Sequence, residues 1–163
     1  LGTTGLVTYI RTDSVRIEPE ALAAVRSYIE RTYGKPYLPS EPNFYKTKKG
    51  AQDAHEAIRP ASLELHPDQV ARFLEKDELR LYQLVWNRFV SSQMTPAVYD
   101  QTTVDVSGKG TDSRSYTFRA RGSVVKFAGF TAVYIEGSDE ESEEDRMLKL
   151  PPIQAGDRVQ QSR

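Results

Sequence analysis

From Pro19 to Tyr33 the apolar side chains Leu22, Val25, Ile29 and Tyr33 recur at helical spacing. That pattern predicts one helix with Pro19 in its first turn and Gly34 just past its end. Residues Lys35 to Gly50 carry three prolines and the aromatics Tyr37, Phe44 and Tyr45, a mixture that suits an ordered, packed loop. In Ala51–Arg59 the residues Ala51, Ala54 and Ile58 would share one helix face and Gln52, His55, Glu56 and Arg59 the other, so two turns of helix are expected before Pro60 ends them. Asp68–Glu75 and Glu78–Gln93 read as two more helices. The second carries Leu79, Leu81, Tyr82, Leu84, Val85, Trp86, Phe89 and Val90 around most of its circumference, as a buried helix does.

After Pro96 the period changes to two. Val98, Asp100, Thr102, Val104 and Val106 alternate with Tyr99, Gln101, Thr103 and Asp105, which is a strand signal. Ser107-Gly108-Lys109-Gly110 reads as the turn, and Tyr116, Phe118 and Ala120 then alternate with Thr117, Arg119 and Arg121. Further short strands are expected at Val124–Phe127 and Phe130–Ile135, separated by Ala128-Gly129. The run Gly137–Asp145, with six Asp or Glu in nine positions, reads as a solvated loop rather than a metal site. The expected fold class is α+β: a helical part over residues 1–95, then a mostly antiparallel β part over 96–163.

Composition narrows the function. At 163 residues and 38% hydrophobic the chain can build a packed core. With 22 Lys+Arg against 23 Asp+Glu there is no global basic excess, so partners must be read from local sites. No run of 18 apolar residues and no charged-then-apolar leader occurs, which predicts neither a membrane span nor a secretory signal and suits a cytoplasmic setting. The absence of cysteine excludes disulfides, thiolate zinc sites, iron–sulfur clusters and cysteine nucleophiles, and leaves His55 and His66 as the imidazoles. The first and last residues suggest a piece of something larger.

Reactive side chains are densest in Gly5–Ser14, where Leu6, Val7 and Ile10 can anchor to a core and Thr8, Tyr9, Arg11, Thr12, Asp13 and Ser14 offer polar chemistry. In an extended stretch Tyr9 and Arg11 would project from the same face, roughly 6.5–7 Å apart, within reach of one phosphate. A phenol can attack phosphorus, and a guanidinium matches phosphate oxygens as charge builds. A phenol, with a pKa of about 10, is also a far better leaving group than an aliphatic alcohol, so such a link is reversible. The other reading of Tyr9–Arg11 is a packed aromatic beside a surface charge.

Other chemistries fare worse. A helical zinc motif at His55-Glu56 needs a second histidine where the chain has Arg59. Ser14, His55 and Asp13 lack a nucleophile-elbow sequence. His66 stands before Pro67 and suits a helix start, while Trp86 and Phe89 suit the core. Lys46, Lys48 and Lys49 form a small basic patch able to track a DNA backbone. Arg119 and Arg121 either line a passage for DNA or sit on a solvated sheet face.

The segment Gly5–Ser14, GLVTYIRTDS, resembles the active-site motif of type IA DNA topoisomerases, and Ala51–Pro60, AQDAHEAIRP, resembles that family's second signature. Shorter similarities run through YGKPYLP, LYQLVW and SQMTPA, so the resemblance covers roughly the first 135 residues. Ile10, where the type III branch usually has proline, points to the bacterial topoisomerase I branch. The resemblance implies that Tyr9 is the nucleophile, becoming linked to a 5′ phosphate of single-stranded DNA, and that Arg11 holds that phosphate. It implies a DNA phosphate contact from His55, whose other reading is a half-buried histidine bonded to a neighbouring carboxylate. Thr12 within the motif, Lys48 and Lys49 of the basic patch, and Arg59 are further candidate DNA contacts, with ordering of the active loop as the second role open to Arg59. Residues 96–163 would then belong to the arch that connects the helical domain to the rest.

The family's Mg²⁺ would be bound by a domain absent from this chain, leaving no metal ligands here. The parent enzyme would cut one strand of underwound DNA, pass another through the gap and reseal it without ATP, its partners being DNA and its own remaining domains. The isolated chain should be inactive. The rival reading is a non-catalytic DNA-binding module with a packed Tyr9; a reverse-gyrase type would add a helicase domain.

Overall fold

The computed structural model describes residues 5–46, 55–134, 150–151 and 153–159. Lys48, Lys49, the first part of the helix expected from Ala51 and the acidic run 137–145 lie outside the described residues. The chain divides into two units, Leu1–Pro96 with Gly129–Ile135 and Ala97–Ala128 with Glu136–Arg163. Helices dominate the first and an antiparallel strand pair the second, an α+β arrangement. Among the described residues no helix is long and apolar enough to cross a membrane.

In the first unit α1 spans Pro19–Tyr33, as its spacing predicts. Gly34 ends it with φ 90°, a conformation that side chains resist, and its N–H caps the Glu30 carbonyl. A short α2, Pro67–Val70, begins at His66, whose Nδ1 accepts the Asp68 N–H, and runs into a 3₁₀ turn at Ala71–Phe73. The long α3, Lys76–Ser92, starts with the Glu78 carboxylate accepting the Glu75 N–H at 3.0 Å.

Val25 and Ile29 of α1 meet Tyr82, Trp86, Phe89 and Val90 of α3, with Val70 and Met94, in one buried cluster. Tyr28 and His66 set their rings edge-on to Trp86, with centroids 5.3 and 4.8 Å away. The expectation that α3 is buried around most of its circumference is corrected: it buries one stripe, while Leu81 and Leu84 on its other side are exposed.

The loop after α1 is pinned as expected, by a device the pattern did not reveal. Gln93, fully buried, exchanges amide hydrogen bonds with the Asn43 backbone, and the Asn43 side chain donates to the Ser92 and Met94 carbonyls. Every polar atom that this buried amide brings inside thus has a backbone partner. Phe44 and Tyr45 nevertheless stand exposed.

The expected strand at Phe130–Ile135 does not form over its described residues; Gly129–Ala132 is a 3₁₀ turn. Gly129 has φ 51°, and a Cβ there would lie 2.5 Å from backbone atoms of Thr95 and Pro96. The chain can therefore close on residue 95, where Phe130 N–H donates to the Thr95 carbonyl, and Val133 packs against the helical core.

In the second unit β1, Val98–Lys109, pairs antiparallel with β2, Ser115–Phe127, from Val98–Phe127 to Lys109–Ser115. A register shift between Val98 and Tyr99 interrupts the ladder. The two strands expected on either side of residue 122 are one continuous β2. The turn lies at 110–114, so of the two glycines expected to form it Gly108 stays in β1 and Gly110 opens the reversal: Ser113 takes φ 62° and the Asp112 carboxylate accepts the Arg114 N–H. Alternation puts Val104, Val106, Phe118 and Ala120 on one face and Asp105, Arg119 and Arg121 on the other. Arg119 donates to both Asp105 oxygens, at 2.7 and 2.9 Å, and that hydrogen bonding holds the Asp105 carboxyl below its usual range.

Candidate active site

Two segments far apart in sequence lie side by side in the helical unit. Val7 pairs with Pro60, Thr8 N–H donates to the Arg59 carbonyl at 2.9 Å, and Ala61 N–H donates to the Leu6 carbonyl at 2.9 Å. Farther along, Ala57 N–H donates to the Arg16 carbonyl at 2.8 Å. Between these anchors the first segment runs from Thr8 to Arg16 while the second runs only from Arg59 back to Ala57. Residues 9–15 must therefore arch out as a loop, and Tyr9 and Arg11 are on it.

The helix expected over Ala51–Arg59 is corrected by this pairing. Its described part, 55–59, is not helical: its backbone groups bond to the first segment instead of to one another. The shared helix face of His55, Glu56 and Arg59 goes with it, although Glu56 and Arg59 still meet.

Hydroxyl groups fasten both feet of the loop. Thr8 Oγ1 donates to the Ala57 carbonyl at 3.1 Å and accepts the Arg59 N–H at 3.0 Å. Ser14 Oγ donates to the His55 carbonyl at 2.6 Å and accepts the Arg16 N–H at 3.2 Å. A local turn bond was expected of Asp13-Ser14; Ser14 supplies it and also reaches across to the second segment, a link that only the folded pairing reveals.

On the loop, Tyr9 is 78% exposed, with its ring clear of the core. Arg11 turns back: its Nε donates to Asp13 Oδ2 at 2.8 Å and its Nη1 lies 3.2 Å from His55 Nε2. A guanidinium only donates, so Nε2 is the acceptor in this contact and Nδ1 is the other ring nitrogen. That Nδ1 is buried without a protein partner, as is Asp13 Oδ1. Arg11 and His55, forty-four positions apart, thus come together beside the exposed tyrosine's loop. Thr12 is exposed on the same loop.

Arg59 faces elsewhere. Its Nε and Nη2 donate to the two Glu56 oxygens at 2.6 and 3.1 Å, and its Nη1 donates to the Pro60 carbonyl at 2.9 Å. Glu56 also accepts the Glu18 N–H, just ahead of α1. Burial alone would raise the Glu56 carboxyl; the Arg59 and Glu18 hydrogen bonds and the Arg59 and Arg16 charges outweigh it and hold it below its usual range. Its contribution to stability is therefore present above the unfolded carboxylate pKa and is lost as pH falls through the lower folded value.

His66 caps α2 and packs on Trp86, apart from this chemistry. Among the described residues no group of three or more His, Asp or Glu is placed to hold a metal ion.

The family model for DNA topoisomerase matches residues 1–163. DNA topoisomerase 1 of Xylella fastidiosa, from strain Temecula1 and from strain 9a5c, is 47% identical over 161 residues, covering 97% of this chain and 19% of the relative. The solved full-length topoisomerase I from Thermotoga maritima, in a monoclinic crystal form, superposes with a TM-score of 0.62 at 30% identity, over 80% of this chain and 19% of that one. The chain thus spans about a fifth of the length of the relatives it matches. With a family match along its whole length and a solved topoisomerase I sharing its fold, the chain belongs to the type IA DNA topoisomerase family.

Proposed function

We propose that this chain is the part of a type IA DNA topoisomerase that supplies the nucleophile. Tyr9 Oη attacks a backbone phosphorus of single-stranded DNA; the new bond joins the phenol oxygen to the 5′ phosphate, and the bond to the 3′ oxygen of the preceding deoxyribose breaks. The phenol proton leaves and the departing 3′ oxygen gains one. Resealing is the reverse, with the phenol as leaving group. Arg11 and His55 take the phosphate oxygens, Arg11 exchanging its Asp13 and His55 contacts for a doubly hydrogen-bonded grip. Thr12 on the same loop, and Lys48 and Lys49, would bind the DNA backbone. β1 and β2 would belong to the arch through which a second strand passes; a two-stranded ribbon is marginal alone and suits completion by further strands.

The observation that carries this reading is the exposed Tyr9 on a loop whose Arg11 meets His55 at 3.2 Å. Its 78% exposure speaks against the rival module with a packed tyrosine. The family's Mg²⁺ does not fit the described residues: no acidic cluster is present, and Asp13, the carboxylate on the loop, is paired with Arg11. The 163-residue chain alone, incubated with supercoiled plasmid and Mg²⁺, should leave the plasmid supercoiled, whereas the full-length protein that carries it should relax it. Relaxation by the chain alone would contradict the division of labour.

A further inference from the structure

The second segment brings a conspicuous ion pair to the site, and it points away from the loop chemistry. Glu56 directly follows His55, and Arg59 lies opposite Thr8, the residue before Tyr9. Their side chains are only 19% and 16% exposed. Three of the five Arg59 N–H donors are in use, two on Glu56 and one on the Pro60 carbonyl, and turning the fork that grips Glu56 onto a phosphate would break a partly buried pair. Glu56 carries the grip on to the Glu18 N–H at 3.1 Å. Helix α1, the His55 segment and the foot of the Tyr9 loop are thereby tied through one carboxylate and one guanidinium.

We infer that Glu56 and Arg59 are positioning residues for strand cleavage, which set the register between the His55 segment and the Tyr9 loop and do not touch DNA. This rests on the function proposed above. The pair fixes His55 from the residue beside it. Arg59 holds its own backbone where the Thr8 hydroxyl and N–H can grasp it. Loosening either end lets the loop shift relative to His55, and displacements of about 1 Å cost cleavage rate far more than they cost affinity. Lysine at position 59 would keep the charge but lose the planar fork that meets both Glu56 oxygens.

The test uses the full-length protein with Glu56→Gln, Arg59→Lys, the two combined, Arg59→Gln to remove the charge for the salt series, and Tyr9→Phe as control. Label transfer from a 3′-end-labelled single-stranded oligonucleotide to the protein reports cleavage, and a salt series of Kd values reports phosphate contacts. At saturating oligonucleotide Glu56→Gln and Arg59→Lys should both cleave roughly tenfold more slowly, with Kd within about twofold, and the salt slope should be unchanged in all three single variants. The double variant should lose little more than either single one, because both break the same link.

A salt slope reduced by about one for Arg59→Gln, which removes the charge, would make Arg59 a phosphate ligand and overturn the inference. Wild-type cleavage rates in both Glu56→Gln and Arg59→Lys would overturn it too, as would joint loss of binding and cleavage, the mark of a protein that has merely unfolded. Glu56→Gln is nearly isosteric and keeps an acceptor for the Glu18 N–H, which guards against that outcome. Label transfer by Tyr9→Phe would instead refute the proposed function itself.

Discussion

Arg11→Gln in the full-length protein should slow single-turnover cleavage of a saturating single-stranded oligonucleotide by about 10²–10³-fold, the usual cost of removing one charge-stabilising donor from a transition state. The guanidinium is placed for such a role: it is 42% exposed and tethered to Asp13 at 2.8 Å and His55 at 3.2 Å. Those contacts preorganise it without burying it. On the proposed function, charge grows on the nonbridging oxygens as phosphorus accepts the phenol oxygen, and Arg11 would gain most at that moment. Arg11→Lys should recover only part of the rate, since an ammonium offers no planar fork. A glutamine variant that binds DNA more weakly yet cleaves at the wild-type rate once saturated would assign Arg11 to ground-state binding alone.

Trp86→Ala should destabilise the helical unit by about 3–5 kcal/mol, the range for removing a large aromatic from a packed core. Trp86 is 2% exposed between the Tyr28 and His66 rings, and it joins α3 to α1 and to the start of α2. Small domains hold about 5–15 kcal/mol in total, so this change consumes much of the margin. Because Trp86 is the sole tryptophan, the urea midpoint is best followed by far-ultraviolet circular dichroism. A loss below about 0.5 kcal/mol, typical of a surface position, would contradict the placement of the core.

Much of the helical unit is legible in the sequence because its signals are local. The Leu22, Val25, Ile29 spacing with Gly34 gives α1 at its observed ends, and the switch to period two after Pro96 gives the strand pair. What escapes is decided by contacts distant in sequence. Residues 55–59 contain good helix formers, but their backbone is claimed by Thr8 and Arg16, so tertiary pairing overrides propensity. Phe130 and Val133 look like strand residues until Gly129 turns the chain onto the Thr95 carbonyl. The hairpin turn is misplaced for a subtler reason: glycines signal turns, yet here β1 runs through Gly108 and a side-chain bond from Asp112 makes the reversal.

At the candidate site, residue types and motif order indicate Tyr9, Arg11 and His55, and the structure brings the last two together. Arg59 it pairs with Glu56. The Thr8 and Ser14 staples were not legible, because a hydroxyl's partner carbonyl some forty to fifty positions away leaves no trace in local spacing.

The most direct measurement maps the covalent link. The full-length protein is mixed with a 3′-end-labelled single-stranded oligonucleotide, denatured and digested, and the labelled peptide is sequenced. Of the nine tyrosines in this chain, only Tyr9 should carry the nucleotide, and Tyr9→Phe should carry none. Label on another residue, or undiminished label on the phenylalanine variant, would contradict the assignment of the nucleophile.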